Sequence, residues 1–432
     1  MRVWSELIQT INSSETVVAK SDRAGTRRER LDAFLGQALL ILMIVFVAAL
    51  PVSIAVCQIA LGLAFFAWIG RMFLQRRLLL SRTPLDYFFL AYLAAELISL
   101  IFSQDRWTSV IFFRRMLLIP IVYLVPANAR AERLAKILIA VLIGVMAVVA
   151  LWGIQKYLVG IGGLAGRLSL RQHYMTSGGL LMMVSLFSVA YALSAAPRRI
   201  RLLALLPAMF ILTALVFTFT RSSWLGFLGG LITIGVVESR KFIFAALLAV
   251  ALFFIFGPPS VRERASSIVD PHHPLNIERT YMLRSGLEII RDYPWTGVGD
   301  IDLGKIYLKY KSPQARDAAG HLHNNLLMLG VTLGIPGLIV VAALFVKIIA
   351  LEVSIVRGLA GASWFPRSTA VASLACFIGF QINGLFEWNF GDAEIAMLLW
   401  FTVGLALASA HKPLADTTHQ ADGREQQPAN MP

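Results

Sequence analysis

Twelve apolar stretches, each close to the length of a membrane-spanning helix, dominate this sequence and constrain how it can fold. They lie at approximately 34–50, 53–70, 85–102, 109–126, 135–157, 174–195, 202–219, 223–237, 242–257, 326–349, 368–386 and 394–410. About twenty apolar residues cross a bilayer as a helix, and a helix satisfies its backbone hydrogen bonds internally, as lipid requires. The sequence therefore predicts an all-α, polytopic membrane protein of about 12 transmembrane helices.

The composition excludes an ordinary soluble domain, because 57% of the residues are hydrophobic, 15% are charged and the mean hydropathy is +0.71. The only two cysteines, Cys57 and Cys376, lie inside apolar stretches, where neither a disulfide framework nor a cysteine metal cluster is expected. The formal net charge of +14 indicates a membrane topology rather than nucleic-acid binding.

The positions of Lys and Arg predict the orientation of the spans, because these residues collect in cytoplasmic connections. A cytoplasmic N-terminus gives every second short connection a basic cluster and also places the C-terminus inside. The clusters are Arg71, Arg76, Arg77 and Arg82; Arg130, Arg133 and Lys136; Arg198, Arg199 and Arg201; and Arg240 with Lys241.

The same orientation divides the chain into five segments. Residues 1–32 form a basic cytoplasmic segment, 33–257 hold spans one to nine, 325–410 hold spans ten to twelve, and 411–432 form a disordered cytoplasmic tail. Residues 258–324 form one large outer loop, too long for a simple connector, so we expect it to be partly helical. Its periodicity predicts a helix from Glu278 to Arg291, followed by a glycine turn at 295–299.

A histidine at the end of this loop is the main candidate for chemistry. His323 and Asn324 are followed, after nine residues, by Gly334 and Gly337 inside an apolar stretch. An imidazole at the mouth of a hydrophobic helix can exchange protons while the apolar part of a substrate stays in lipid. The alternative is a solvated loop histidine next to a helix cap formed by Asn324 or Asn325.

Several cations lie at the predicted outer face, against the charge rule. They are Arg114, Arg115, Lys156, Arg167, Arg171, Arg221, Arg279, Arg284 and Arg291. Such charges indicate function unless acids neutralise them. Candidate acids are Glu278, Glu288, Asp292, Asp300, Asp302, Glu387 and Asp392. Arg221 has no acid near it in sequence, which favours phosphate binding there; for the others, phosphate binding and ion pairing stay equally open.

Other chemistries lack support in the sequence. We find no phosphate-binding Gly-x-x-x-x-Gly-Lys loop and no His-Glu-x-x-His pattern. His272, His273, His321 and His323 are not spaced like the ligands of a metal site. We therefore expect no metal and no cofactor.

Taken together, these residues resemble the O-antigen ligase and polymerase superfamily of bacterial envelopes, over most of the chain. The histidine, asparagine and two glycines fit the ligase signature. Arg221-Ser-Ser-Trp-Leu-Gly, Arg279 in the loop helix, Pro294-Trp-Thr-Gly-Val-Gly and Glu387-Trp-Asn-Phe-Gly-Asp are similar to further segments of the family.

The resemblance implies a glycosyltransferase of the bacterial inner membrane with a periplasmic active site. Its donor would be a glycan on undecaprenyl pyrophosphate, and its acceptor a sugar hydroxyl of the lipid A core. His323 would be the general base and Arg221 with Arg279 would stabilise the leaving pyrophosphate, without metal. The predicted substrate-binding residues are Arg114, Arg115, Lys156, Arg167, Arg171, Arg284, Asn324, Glu387 and Asp392.

Three alternatives remain at this point. A polymerase of the same superfamily would extend the glycan on its carrier, although the histidine-to-glycine spacing favours a ligase. A transporter would carry charges near the bilayer midplane, where Glu96, Gln58 and Gln381 are the few candidates. A structural scaffold would not need outer-face arginines beside a histidine.

Overall fold

A computed structural model describes residues 26–129, 132–161, 166–318 and 320–410, so most of the predicted N-terminal segment and the whole predicted tail lie outside the described residues. Within these ranges the regular structure is helical, as predicted. The α-helices are α1 Arg27–Ala49, α2 Ile54–Gln75, α3 Asp86–Ile101, α4 Arg106–Phe113, α5 Ile121–Asn128, α6 Glu132–Leu158, α7 Tyr174–Leu193, α8 Arg198–Phe217, α9 Arg221–Glu238, α10 Arg240–Phe256, α11 Pro259–Ser266, α12 Pro274–Asp292, α13 Gly304–Tyr310, α14 Asn325–Gly358, α15 Trp364–Gly384 and α16 Ala393–Ala410.

Eight helical stretches in the described part of the chain are long and apolar enough to cross a membrane. They are α1, α2, the stretch Arg106–Asn128, α6, α7, α8, α14 and α16. The other four predicted spans are also helical, but α3, α9, α10 and α15 have 16, 18, 17 and 21 residues and are shorter or more polar. The apolar helices indicate a membrane protein, while the count of twelve stays a prediction.

The most buried helices form the centre of the fold. In the most apolar 18-residue stretch of each helix, 83% of the residues are buried inside the protein for α7 and 78% for α16, but only 22% for α1. Helix α7 contacts α8, α9 and α15, and α9 packs along α15. Gly226 and Gly379 lie face to face there, because a Cβ on Gly226 would be 2.6 Å from the Gly379 carbonyl oxygen. Small residues let these two backbones approach closely.

Helix α14 is broken at Gly334, which has φ 71 and ψ −178 and is followed by Pro336. Its 34 residues would extend about 50 Å, well beyond the ~30 Å hydrocarbon core. Leu327, Met328 and Val331, before the break, belong to the core of the segment between α10 and α14 rather than to the main bundle core. The predicted span 326–349 therefore combines the end of the loop unit with the start of a long apolar helix.

The segment between α10 and α14 has its own core, as expected from its length. Met282 and Ile289 of α12, Tyr307 of α13 and Val298 pack there against the first part of α14. The predicted helix 278–291 lies inside α12, which begins four residues earlier because Pro274 starts it and the His273 side chain accepts a hydrogen bond from the Leu275 amide.

The glycine turn docks onto the break in α14. Val298 and Gly299 donate their amides to the carbonyls of Val331 and Thr332, and Ile335 donates to the Pro294 carbonyl. A Cβ on Gly334 would lie 2.7 to 2.8 Å from the Pro294 and Trp295 backbone. Gly334, the first glycine of the signature, therefore allows the loop to approach α14 closely. It does not itself line the cavity that contains His323.

Candidate active site

A cavity of about 110 Å³ brings the main candidates together. It lies between the start of α9, helices α11 and α12, and the residues just before α14. Its lining includes Arg167, Arg221, Arg264, Arg279, His323 and Glu387. All three predicted catalytic residues, Arg221, Arg279 and His323, thus line one cavity, although they come from three separate segments of the sequence.

His323 is held by a buried carboxylate. Its Nδ1 lies 2.9 Å from Oε1 of Glu387, and the two side chains are 21% and 9% exposed. Burial alone would raise the pKa of Glu387, but hydrogen bonds from His321 and His323, and their charges, hold this pKa well below its usual range. An ionised carboxylate only accepts hydrogen bonds. Nδ1 of His323 therefore carries a proton towards Glu387, and Nε2 is the ring nitrogen that can accept a proton from a substrate.

Glu387 is positioned by contacts between its own segment and the start of α14. The Asn324 side chain donates to the Leu385 carbonyl at 2.9 Å and also caps α14 by accepting from the Leu327 amide. Asn325 donates to Asn389 Oδ1 at 2.6 Å. These bonds fix both partners of the His323 and Glu387 pair, so the predicted substrate-binding residue Asn324 has a structural partner on each side.

His321 shares the same carboxylate, which the sequence did not indicate. Its Nε2 lies 3.5 Å from Glu387 Oε1, and its ring is in edge contact with that of His323, with ring centroids 4.4 Å apart. Burial lowers the pKa of His321, but the hydrogen bond to Glu387 and the charge of Glu387 outweigh this effect and raise it. The second carboxylate oxygen, Oε2 of Glu387, is buried without a hydrogen-bond partner in the described structure.

Arg221 begins α9 and is buried, and neutral groups hold it. Its guanidinium donates to the carbonyl and hydroxyl oxygens of Ser267 and, at 2.8 Å, to Asn276 Oδ1. Asn276 in turn donates to the carbonyls of Ser267 and Asp270. The segment between α10 and α14 therefore positions this arginine without neutralising its charge.

Three further arginines surround the same cavity. Arg279 lies on α12, Arg264 lies on α11, and Arg167 stacks on the Tyr174 ring with its guanidinium carbon 4.5 Å from the ring centroid. None of the ion pairs formed by the described residues includes these three arginines or Arg221. Burial chiefly lowers the pKa of Arg279 and brings that of Arg264 to about 10, where the neighbouring arginines add to the effect.

Arg264 was missed by the sequence reasoning. Like the predicted arginines, it lies in a segment where the charge rule disfavours cations, but no motif of the sequence includes it. Only the packing of α11 against the start of α9 brings it to the cavity, where its Nε donates to the Phe219 carbonyl at 3.0 Å.

The remaining predicted substrate-binding cations lie elsewhere. Arg115 pairs with Asp300 at 2.8 Å and lines a different, smaller cavity with Glu96 and Trp388. Lys156 lies over the Trp152 ring, 4.5 Å from its centroid. Arg114, Arg171 and Arg284 are exposed. Their contacts with a substrate stay predictions.

Asp392 lies beside the histidine pair rather than on the arginines. Thr176 donates to its Oδ2 at 2.7 Å. Burial raises the pKa of Asp392 to about 6, although the hydrogen bond from Thr176 opposes the shift.

His321, His323 and Glu387 are also the described residues that could offer three ligand atoms to a metal, since these atoms lie within 4.8 Å of one another. Both nitrogens, however, face one carboxylate oxygen at 2.9 and 3.5 Å, which fits two imidazoles sharing a hydrogen-bond acceptor. A chelator distinguishes the two arrangements.

An apolar groove leads to this site. A second cavity of about 280 Å³ is lined by Arg221, Arg279 and Asn276, and it shares Leu225 and Ile268 with a third cavity of about 530 Å³. All residues lining the third cavity are apolar, and they come mainly from α7, α8, α9 and α10. We call this third cavity the apolar groove. Arg221 and Arg279 lie at the end where it meets the second cavity.

The fold and site define a helical membrane protein in which an apolar groove meets a cationic cavity containing a histidine and a carboxylate. Residues 206–342 match the family model described as O-antigen ligase. Over these residues the match confirms the resemblance to the O-antigen ligase and polymerase superfamily, whose members are glycosyltransferase-like enzymes. The matched range includes Arg221, Arg264, Arg279 and His323, whereas Glu387 lies beyond it. No curated protein matches the chain.

Proposed function

We propose that this protein is an O-antigen ligase, which transfers a glycan from undecaprenyl pyrophosphate to a sugar hydroxyl of the lipid A core. The observation that carries the proposal is the meeting of three features at one place. These are the apolar groove, the cavity arginines that form no ion pair with the described residues, and the paired His323 and Glu387.

The donor's chemistry fits this arrangement. A polyprenyl chain needs apolar walls that continue into lipid, and the groove between α7 and α10 supplies them. A diphosphate needs cations, and a guanidinium can hold phosphate oxygens with two parallel hydrogen bonds. Arg221 and Arg279, at the end of the groove, are in the position to receive the diphosphate.

The transfer step follows from the free nitrogen of His323. The acceptor hydroxyl attacks the anomeric carbon, and its proton goes to Nε2 of His323. The bond from the anomeric carbon to the phosphate oxygen breaks, and the electron pair leaves on the diphosphate, where the arginines stabilise the growing negative charge. One such displacement inverts the anomeric configuration. Glu387 stabilises the imidazolium that forms.

The distribution of Lys and Arg supports a periplasmic site in the bacterial inner membrane, with both termini in the cytoplasm. In this orientation the loop between α10 and α14 and the short segment before α16, which carries Glu387, lie on the same side.

Reconstitution tests the function directly. Purified protein in liposomes receives the carrier-linked glycan and lipid A core, and the products are separated by size. We expect the wild type to attach the glycan to the core and His323→Ala to lose this activity while staying folded. His272→Ala is the matched control, since the His272 side chain is 94% exposed. Full activity of the His323 variant would remove this base from the mechanism, and longer glycan on the carrier instead of on the core would indicate a polymerase.

A further inference from the structure

Arg264 is partly buried on the short helix α11, and the established resemblance gives it no role. Within the described part of the chain its one hydrogen-bond acceptor is the Phe219 carbonyl, which takes the Nε proton. A guanidinium has five N–H groups in a fixed planar arrangement. The other four are therefore available to a ligand in the cavity that Arg264 lines.

The order of the cavities indicates which part of a ligand Arg264 would contact. Arg221 and Arg279 line both the cavity next to the apolar groove and the cavity that contains His323. Arg264 and Arg167 line only the His323 cavity. Moving from the groove, a ligand would meet Arg221 and Arg279 first, and then Arg264 in the cavity that His323 also lines.

A diphosphate carrier has two phosphates in a row, one bonded to the polyprenyl chain and one bonded to the sugar. If the chain lies in the groove, the phosphate nearer to His323 is the one bonded to the sugar. This is also the phosphate that receives the electron pair when the glycosidic bond breaks. A cation placed there acts on charge that develops during the reaction, rather than on charge already present in the bound donor.

We propose that Arg264 binds the sugar-linked phosphate of the donor and is a further catalytic residue, which stabilises the leaving diphosphate. This assignment rests on the proposed function, because it requires a carrier-linked donor. The acceptor oxygen forms the new bond to the anomeric carbon, its proton passes to His323, and the leaving oxygen stays on the phosphate held by Arg264.

A purely structural role for Arg264 is the competing explanation, since its bond to Phe219 supports a strained turn. Phe219 has φ 51, in the left-handed region that glycine adopts without strain. Phe219→Gly should therefore replace the support that Arg264 gives to this turn. It supplies no positive charge to the cavity.

Kinetics of Arg264→Ala, Arg264→Lys and the control Arg262→Ala test the proposal. Arg262 lies two residues away on the same helix and is exposed. We expect Arg264→Ala to lower kcat by about 100-fold, with donor KM changed only a few-fold, as for an interaction that strengthens in the transition state. Arg264→Lys should keep part of the activity, and Arg262→Ala should match the wild type.

Two kinetic results would overturn the assignment. One is a rise in the donor KM of Arg264→Ala without loss of kcat, and the other is recovery of activity in the double variant Phe219→Gly/Arg264→Ala. Binding of inorganic pyrophosphate, measured without acceptor, separates this inference from the function. If the wild type transfers no glycan but Arg264→Ala weakens pyrophosphate binding about tenfold relative to Arg262→Ala, the function fails and Arg264 remains a diphosphate ligand. Equal pyrophosphate binding and equal glycan transfer in all variants would refute the role of Arg264 and leave the proposed function intact.

Discussion

Replacing Glu387 with glutamine should slow glycan transfer while leaving the donor site intact. The carboxylate lies 2.9 Å from Nδ1 of His323 and is 9% exposed, so water screens it poorly. It fixes the ring so that Nε2 faces away from it, and it stabilises the imidazolium that forms when the acceptor hydroxyl loses its proton. Glutamine keeps the shape of this side chain but removes its charge.

The size of the effect follows from the geometry. Unit charges about 4 Å apart attract each other by about 4 kcal/mol at an effective dielectric constant of about 20. The partial exposure of His323, 21%, reduces this contribution. If about 2 to 4 kcal/mol of imidazolium stabilisation is lost in the transition state, the rate falls by about 30-fold to 1,000-fold, at 1.36 kcal/mol per factor of ten.

The assay is kcat/KM for transfer in proteoliposomes, with thermal unfolding of each variant measured alongside. Glu288→Gln is the matched control, because Glu288 is exposed on α12. We expect Glu387→Gln to stay folded, with a lower unfolding temperature near neutral pH because the ionised carboxylate with its lowered pKa stabilises the fold there, to bind pyrophosphate and to transfer slowly. A folded Glu387→Gln variant with kcat/KM within about threefold of the wild type would refute the paired base, since a loss below ~0.7 kcal/mol contradicts the estimated electrostatic contribution.

Three other predictions concern the anion site, the pH dependence of stability and the orientation. Arg221→Lys and Arg279→Lys should keep some pyrophosphate binding but lose most of the turnover, because lysine retains the charge without the planar two-point contact, whereas the alanine variants lose both. EDTA should change neither quantity, and a chelator-sensitive wild type would instead favour metal binding by His321, His323 and Glu387. Burial raises the pKa of Asp392 from 3.8 to about 6. The protonated side chain therefore stabilises the fold below pH ~4, and this stabilisation is lost as the pH rises through about 6. Between pH ~4 and about 6 the free energy of unfolding of Asp392→Asn should therefore rise relative to that of the wild type, by at most about 3 kcal/mol, which unfolding measured as a function of pH would show. The same pH dependence in both proteins would contradict a buried ionised carboxylate. Cysteines at the exposed positions Ser266 and Gln314 should react with an impermeant thiol reagent once the outer membrane is opened, and a cysteine at Ser363 should not; the reverse pattern would invert the topology.

The positions of the helices were largely predictable because each apolar stretch reports local burial. The break in α14 was not predictable from hydropathy, since Leu327, Met328 and Val331 are as apolar as the residues of a span. What distinguishes them is their partner, the loop core, which sequence periodicity does not identify. Gly334 and Pro336 are residues that permit an interruption, and its cause is the docked turn at 294–299.

The candidate site was predictable where residue type and position were both unusual, as for Arg221 at the head of a helix and His323 at the end of a loop. Glu387 was predicted as a substrate-binding residue, and the structure gives it His323 and His321 as hydrogen-bond and charge partners. Arg115 had a suitable acid in the sequence, Asp300, and pairs with it. The pairing of His323 with Glu387 could not be predicted, because the two residues are 64 positions apart and no local pattern connects them.

The site also concentrates backbone strain and unpaired charge, and contacts with the loop hold the strained and charged residues in place. In the described part of the chain, Arg76, Phe219 and His323 are the non-glycine residues with positive φ, and the last two flank the cationic cavity. Such conformations cost about 1 to 3 kcal/mol each and persist only where the surroundings hold them. Arg264 holds the carbonyl of Phe219, while His323 lies between Leu322, buried in the loop core, and Asn324, which caps α14. The folded loop thus stabilises the base and the arginines in positions that an isolated chain would avoid, so that a bound anion relieves charge repulsion without first having to order the site.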